Sequence, residues 1–135
     1  MTDKQQTFIM VKPDGVRRRL VGEVIKRIEE AGYEIEQMKM FTIDRPLAER
    51  HYAEHKDKPF FGELTEFITS DRVVAMVVAG DDVVAGMREL MGATDPADAA
   101  PGTIRADLAE SLSNNVVHGS DSPESATREI GLFFG

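Results

Sequence analysis

A histidine near the C-terminus is the side chain best placed to carry out chemistry. His118 follows the apolar pair Val116–Val117, which predicts the end of a short strand, and Gly119 and small polar residues then lead into a helix at Pro123. Most lone histidines are surface or satisfied core residues, but one at such a junction is held by the core and faces a cleft. Glu129 lies on the following helix, where its carboxylate can turn back toward the ring. A carboxylate bound to one ring nitrogen fixes the tautomer and leaves the other nitrogen free to attack or to move a proton.

Several polar side chains at element ends or in loops are candidates for binding phosphate, namely Lys12, Arg88, Thr94, Arg105 and Asn115. The sequence contains neither the P-loop pattern nor a dinucleotide-binding glycine signature, so a nucleotide enzyme of this kind must hold its phosphates mainly with side chains. Each of these residues singly is more often a solvated surface residue. Together they favour an anion-binding cleft, because arginine forks and a lysine point charge both suit phosphate oxygens.

Two other chemistries fit the residues less well. Residues 51–55 match the inverted zinc-protease pattern H-x-x-E-H, with two histidines one helical turn apart, but a zinc site needs at least one further ligand. A serine-protease triad built from Ser120, His118 and Asp121 would join near neighbours in sequence, which rarely reach triad geometry. The zinc hydrolase therefore stays as a minor alternative, and the triad is disfavoured.

The segment from Asn115 to Ser122, together with Lys12-Pro13-Asp14-Gly15, resembles nucleoside diphosphate kinase. The resemblance runs from about Thr7 to Phe134, and its motifs occur in the family's order and spacing. It implies that the γ-phosphate of a nucleoside triphosphate moves to a histidine and then to a different nucleoside diphosphate, in a ping-pong cycle with Mg²⁺.

The same resemblance implies a role for each site residue. His118 occupies the position of the phosphorylated histidine and Glu129 that of the carboxylate orienting it, with Ser120 nearby. Six residues match positions that contact phosphates or ribose: Lys12, Tyr52, Arg88, Thr94, Arg105 and Asn115. Phe60 matches the aromatic that stacks on the base, with Leu64 and Leu112 as apolar neighbours. Stacking without hydrogen bonds to base edges implies broad base specificity. A plain core residue is the alternative for Phe60.

The chain departs from the family pattern at Ala106, Leu108 and Ser113–Asn114, which affects the packing under the nucleotide more than the reacting groups. The resemblance also implies a homo-oligomer, with a hexamer favoured over smaller assemblies. The competing hypothesis is a non-catalytic nucleotide-binding regulatory module of ferredoxin-like fold, since small domains of that fold often only bind ligands. Such a module needs no nucleophile, so it would tolerate the loss of His118.

Length, net charge and cysteine content limit the classes of protein that fit the sequence. A chain of 135 residues predicts a single domain, 1–135. Its formal net charge of -8 disfavours nucleic acid as a partner but permits small phosphate ligands in a focused cationic cleft. The absence of cysteine fits a reducing compartment. The polar start, Met1 to Gln6, predicts no signal peptide, and the longest apolar run, Val73–Ala79, is too short to span a membrane. A cytoplasmic enzyme is the expectation.

Hydrophobic patterning predicts the elements that would position these residues. Strands are expected at Thr7–Val11, Tyr33–Ile43 with a slip near Gln37, Val73–Val78 and Val116–Val117. Helices are expected at Val16–Ala31, Pro46–His55, Phe60–Ser70 and Ser122–Ile130, and in part of Thr103–Ser113. Asp44 is expected to cap the second of these helices, and Asp81–Asp82 to cap a further helix that follows them. A surface loop rich in helix breakers is expected at Gly92–Pro101. This order predicts an α+β fold of the ferredoxin-like βαββαβ plan: a four-stranded antiparallel sheet with helices on one face and extra helical insertions.

Overall fold

The computed structural model describes residues 5–135. The prediction that the polar start contains no signal peptide concerns Met1 to Gln6, and the first four of these residues lie outside the described range. Its strands form one sheet in the order β2-β3-β1-β4, and each neighbouring pair is antiparallel. The strands are β1 Gln5–Val11, β2 Glu34–Thr42, β3 Arg72–Gly80 and β4 Val117–Gly119. This topology confirms the ferredoxin-like α+β plan, in which the first and third strands lie at the centre of the sheet.

Seven α-helices connect and cover the strands of the described chain. They are α1 Pro13–Arg17, α2 Val21–Glu30, α3 Arg45–His51, α4 Phe61–Ile68, α5 Val83–Met91, α6 Ile104–Leu108 and α7 Pro123–Phe134, with short 3-10 turns at Ala53–His55 and Pro96–Asp98. None of the helices among residues 5–135 has the length and hydropathy needed to cross a membrane.

Both faces of the sheet are buried, and this explains the continuous apolar runs of the central strands. In β1, Ile9 and Val11 point to one face and Phe8 and Met10 to the other, as the two-residue period of a strand requires. Helices α2 and α5 pack on the first face, as in the predicted plan. The helical insertions α3 and α4, with α7, cover the second face around Phe133.

Several local predictions are confirmed. The slip predicted near Gln37 is a register shift between Ile35 and Gln37 where β2 pairs with β3. Asp44 caps α3 by accepting a hydrogen bond from the Leu47 amide at 2.9 Å. Ser122 caps α7 in the same way, with its hydroxyl oxygen 3.1 Å from the Ser125 amide. These features are set by residues close in sequence.

The single helix predicted over Val16–Ala31 is wrong, because the chain forms α1 and α2 with a turn between them. Arg19 adopts φ 62° in this turn, a left-handed conformation that ends a helix, and the Leu20 amide donates to the Gly15 carbonyl at 2.9 Å. The apolar residues of both helices still face the same core cluster, so the periodicity continued across the break.

Other local features also differ from the prediction. The helix expected over Pro46–His55 ends at His51 and is followed by the 3-10 turn at Ala53–His55. Asp82 has φ 53° and its side chain makes no cap hydrogen bond; Gln5 Oε1 instead accepts from the Val84 amide of α5 at 2.9 Å. The breaker-rich loop contains the 3-10 turn at Pro96–Asp98, capped by Asp95. The last strand runs from Val117 to Gly119, so His118 lies within β4 and pairs with β1 rather than following the strand.

Candidate active site

A cavity of about 770 Å³ opens beside β4. Every site residue predicted from the sequence lines it, except Ser120, which is buried beneath: His118, Glu129, Lys12, Tyr52, Phe60, Leu64, Arg88, Thr94, Arg105, Leu112 and Asn115. These residues come from β4, the helices α4 to α7 and the turns and loops of the chain, including Lys12 directly after β1. The tertiary fold therefore brings together side chains that are spread over most of the sequence.

His118 and Glu129 form a hydrogen-bonded pair, as their spacing predicted. Nε2 of His118 lies 3.0 Å from Oε1 of Glu129, and the Ser120 hydroxyl donates to the same oxygen at 2.6 Å. Burial alone would raise the pKa of Glu129, but the hydrogen bond and charge of His118, with the Ser120 hydroxyl, outweigh it and hold that pKa below its usual value. An ionised Glu129 can only accept a hydrogen bond, so the imidazole N–H that donates it must be Nε2. The free lone pair is then on Nδ1.

A second histidine, His51, packs against the ring of His118. The His51 ring meets the His118 ring edge-on, with centroids 4.8 Å apart and an interplanar angle of 81°. Burial, with the charge of His118, lowers the pKa of His51 to about 3, so His51 is neutral at physiological pH. Its Nδ1 lies 3.9 Å from Oε2 of Glu129 and has no hydrogen-bond partner among residues 5–135. The sequence analysis considered His51 only as a zinc ligand and missed this position, because nothing local links it to His118.

The two histidines of the zinc-protease pattern do not lie on one α-helix. Helix α3 ends at His51, and His55 follows in the 3-10 turn with its ring 5.6 Å from that of Phe60. His51 instead joins His118 and Glu129, and the donor atoms of these three residues lie within 4.8 Å of one another. The hydrogen bonds from His118 and Ser120 both end on Oε1 of Glu129, so the carboxylate in this trio contacts the His118 ring directly.

Lys12 reaches the cavity from the end of β1. Its Nζ donates to Asn115 Oδ1 at 2.9 Å, and the Asn115 amide nitrogen donates to the Thr94 carbonyl at 3.1 Å. Burial lowers the pKa of Lys12 to about 8; the charge of Asp14 opposes that shift and Arg105 adds to it. A lysine ammonium at this depth supplies a poorly screened positive charge to any anion in the cavity.

Arg105 is buried, and its guanidinium ties two segments of the site together. It donates to the Gly92 carbonyl at 3.0 Å and to the Val117 carbonyl at 2.8 Å, and its Nε has no hydrogen-bond partner among residues 5–135. Burial, together with the nearby Arg88, lowers the pKa of Arg105 to about 10, which still leaves it charged at neutral pH. Arg88 and Arg105 therefore give the cavity two permanent cations close to His118.

The outer part of the cavity is apolar and open. Phe60 is 43% exposed and Leu112 is 57% exposed, which excludes the alternative that Phe60 is a core residue. Leu64 lines the same part, and Tyr52 lies deeper, where burial and the charge of Glu129 raise its pKa to about 12. Apolar surface is normally kept from water, so a flat apolar ligand suits this mouth.

Arg128 is a further cavity residue that the sequence analysis missed. Its guanidinium donates to the Arg50 and His51 carbonyls and so joins α7 to the end of α3. The only local signal for Arg128 in the sequence is its position directly before Glu129. The cavity thus combines a histidine with one free nitrogen, several cations and an apolar mouth. That combination defines a protein that transfers a phosphoryl group from a ligand with a planar apolar part.

Comparison with known proteins gives the same class. The family model for nucleoside diphosphate kinase matches residues 5–135. A nucleoside diphosphate kinase of Rubrobacter xylanophilus is 63% identical over 97% of this chain and 98% of its own length, and one from Deinococcus radiodurans is 56% identical over 97% and 95%. A solved halophilic nucleoside diphosphate kinase from Halobacterium salinarum in complex with CDP has a TM-score of 0.95 and 51% identity, covering 98% of this chain and 88% of that one. The chain belongs to the nucleoside diphosphate kinase family.

Proposed function

We propose that the chain transfers the γ-phosphate of a nucleoside triphosphate to a nucleoside diphosphate through a phosphohistidine at Nδ1 of His118. The observation that carries the proposal is the 3.0 Å contact between Nε2 of His118 and Glu129 Oε1, because it leaves Nδ1 as the nucleophilic nitrogen. Intact mass measured after brief incubation with ATP and Mg²⁺ tests it directly. A covalent phosphate adduct must form before any acceptor nucleotide is added.

The chemistry is a pair of matched displacements. The Nδ1 lone pair attacks the γ-phosphorus in line, the bond from phosphorus to the bridging oxygen breaks, and the nucleoside diphosphate leaves with that electron pair. The imidazole gains positive charge, which the ionised Glu129 stabilises while Nε2 keeps its proton. A second nucleoside diphosphate reverses the step. Lys12, Arg88 and Arg105 offset the charge on the phosphate oxygens in both directions.

Mg²⁺ fits this site as an ion that arrives with the nucleotide. It prefers oxygen ligands and retains several waters, so phosphate oxygens would hold most of its coordination sphere. The carboxylates of Glu54, Glu63 and Asp121 line the cavity and would be available to the ion, directly or through water. When bound, the ion supplies charge neutralisation on the phosphates. Lys12 and the arginines then position the phosphate that faces His118.

We expect Phe60→Ala to weaken nucleotide binding and to change kcat much less. Stacking of a base on an aromatic ring contributes about 1–3 kcal/mol, and the ring of Phe60 stands exposed at the mouth of the cavity. Binding of ADP and GDP by calorimetry, with KM for both, measures the effect. Phe60→Tyr is the matched control, because tyrosine keeps an aromatic face at the same position and should keep the affinity. Equal affinities in Phe60→Ala and the unaltered chain would contradict base stacking on this residue.

The pH dependence of kcat/KM should report Lys12. With its pKa lowered to about 8, Lys12 carries its charge below that pH and loses it above, so kcat/KM should fall on the alkaline side from about pH 8. Bound phosphates favour the charged form of Lys12, so the alkaline fall in the pH profile of kcat should occur at higher pH than that of kcat/KM. In Lys12→Arg the guanidinium does not titrate in this range, so the limb should vanish even if activity is lower. A limb at the same pH in Lys12→Arg would assign it to another group.

The proposal also includes the domain organisation, the oligomeric state and the location of the chain. One domain spanning 1–135 is supported by the two core clusters that pack on opposite faces of a single sheet. A homo-oligomer is supported by Met38 and Met40, which are half exposed on the edge strand β2, and the preference for a hexamer rests on the family resemblance alone. A reducing cytoplasmic location is supported by the absence of cysteine. The regulatory module stays less favoured, because ligand binding alone requires no oriented histidine.

A further inference from the structure

Val116 occupies a strained turn directly before the strand that carries His118. Its φ is 74°, and the Val117 amide donates to the Asn115 carbonyl at 2.8 Å, which makes residues 115–117 a γ-turn with positive φ at its centre. This kind of γ-turn is rare and strained, and a β-branched residue is poorly suited to it. Such strain persists only where surrounding contacts impose it, and it is concentrated at functional sites.

The segment that follows β1 supplies those contacts. Oδ2 of Asp14 accepts a hydrogen bond from the Val116 amide at 3.0 Å, and the Lys12 amide donates to the Val116 carbonyl at 2.8 Å. Gly15 lies so close beneath that a Cβ there would be 3.0 Å from the same carbonyl oxygen. Both backbone polar groups of Val116 are therefore held by residues 12–15.

Asp14 is buried, and one of its oxygens is left unsatisfied. It is 3% exposed, and its Oδ1 has no hydrogen-bond partner among residues 5–135. Burial of a carboxylate is costly, and a five-residue helix such as α1 offers only a small dipole in return. The carboxylate's one resolved hydrogen bond among residues 5–135 is to the strained turn, and its charge also raises the pKa of Lys12. The direct contact of the buried group is therefore with the turn.

The turn lies between two parts of the site. On one side, Asn115 bonds to the Lys12 ammonium and to the Thr94 carbonyl. On the other, the Val117 carbonyl accepts from Arg105, and His118 follows in β4. A γ-turn is the tightest reversal available to the backbone, so relaxing it would change the distance and direction from Asn115 to His118.

We propose that Asp14 is a positioning residue, which holds Val116 in the strained γ-turn and thereby fixes the nucleotide-contacting group of Asn115 relative to His118. The inference rests on the proposed phosphoryl transfer at His118. It predicts that the effect of Asp14 on activity depends on how strained residue 116 is.

The test is a cycle of four proteins: the unaltered chain, Asp14→Ala, Val116→Gly and the double variant. Asp14→Ala should lower kcat/KM by about tenfold to a hundredfold, the range that corresponds to releasing one strained residue. Glycine adopts positive φ readily, so Asp14→Ala should lower kcat/KM less than about threefold in the Val116→Gly background. Equal losses in both backgrounds would overturn the proposal.

Two further variants separate positioning from charge and from stability. Asp14→Asn keeps an oxygen that can accept from the Val116 amide, so it should restore most of the activity lost in Asp14→Ala. An asparagine variant as weak as the alanine variant would show that the negative charge, not the turn, is what matters. Val24→Ala removes a buried side chain of α2 that does not line the cavity. It should keep kcat/KM at a temperature where it and Asp14→Ala remain folded, and a loss equal to that of Asp14→Ala would assign the effect to stability alone.

The phosphate adduct of the unaltered chain keeps the two hypotheses apart. If ATP gives no adduct on the unaltered chain, the proposed transfer fails, and the inference built on it falls as well. If the adduct forms on the unaltered chain and forms equally fast in Asp14→Ala, only the positioning role of Asp14 is overturned.

Discussion

His118→Gln should abolish phosphate transfer while leaving nucleotide binding largely intact. Glutamine has no nucleophilic nitrogen, so the covalent step is lost, and we expect kcat to fall by about 10⁴-fold or more, as when an enzyme loses its nucleophile. Of the side chains proposed to bind phosphate, Lys12 is held by Asn115 and Arg105 by the Gly92 and Val117 carbonyls, so their positions do not depend on the imidazole. Calorimetry with ADP should therefore give a dissociation constant close to that of the unaltered chain.

Intact mass provides the direct measurement. In the unaltered chain, ATP and Mg²⁺ should give a single, acid-labile phosphate adduct that vanishes when GDP is added, and this adduct should be missing in His118→Gln. His55→Gln is the matched control, because His55 lines the same cavity but lies against Phe60 and makes no contact with Glu129. An adduct in His118→Gln would place the nucleophile elsewhere. Bound nucleotide without an adduct in the unaltered chain would favour the regulatory module.

Glu129→Ala should produce the second largest loss, with adduct formation slower by about 10²–10⁴-fold. The carboxylate fixes the tautomer that leaves Nδ1 unprotonated, and it stabilises the positive charge that the ring gains during transfer. Its pKa lies below the usual value, so it is ionised throughout the neutral range. Without it, the hydrogen can move to Nδ1 and the ring can rotate against His51.

Single-turnover mass spectrometry of the adduct gives this rate independently of product release. The imidazole nitrogen shifts of His118 in NMR should also change from the Nε2-protonated tautomer to a mixture in Glu129→Ala. Glu124→Ala is a suitable control because Glu124 lies in the first turn of the same helix, α7, and is exposed. An adduct rate in Glu129→Ala equal to that of the control would remove Glu129 from the mechanism.

The sequence alone determined those parts of the protein that depend on neighbouring residues. The apolar runs that form β1 and β3, the cap at Asp44, the start of the last helix at Pro123 and the irregularity near Gln37 were all predicted correctly. The facing of His118 and Glu129 was also predicted, because a strand and the helix directly after it leave the pair few relative positions. The phosphate-binding candidates Lys12, Arg88, Thr94, Arg105 and Asn115 were named from their residue types and their places at element ends or in loops. Tyr52, Phe60, Leu64 and Leu112 could be named in advance only because the chain resembles a family whose motifs keep their order and spacing.

Only the tertiary structure decided how distant segments meet. The sequence suggested a side-chain cap at Asp82, but Gln5 makes that contact because the register of β1 against β3 brings it there. His51 lies beside His118 because α3 packs on the face of the sheet that Met10 of β1 shares with its pairing partner His118.

The strained Val116 and the lowered pKa of Lys12 have the same kind of origin. Asp14 reaches Val116 across the pairing of β1 with β4, and Lys12 is desolvated by residues from several loops. Periodicity and capping act over a few residues, so a sequence displays them directly. Strain, burial and ionisation depend on the sum of contacts made across the fold, and these exist only when the sheet register and both of its cores have formed.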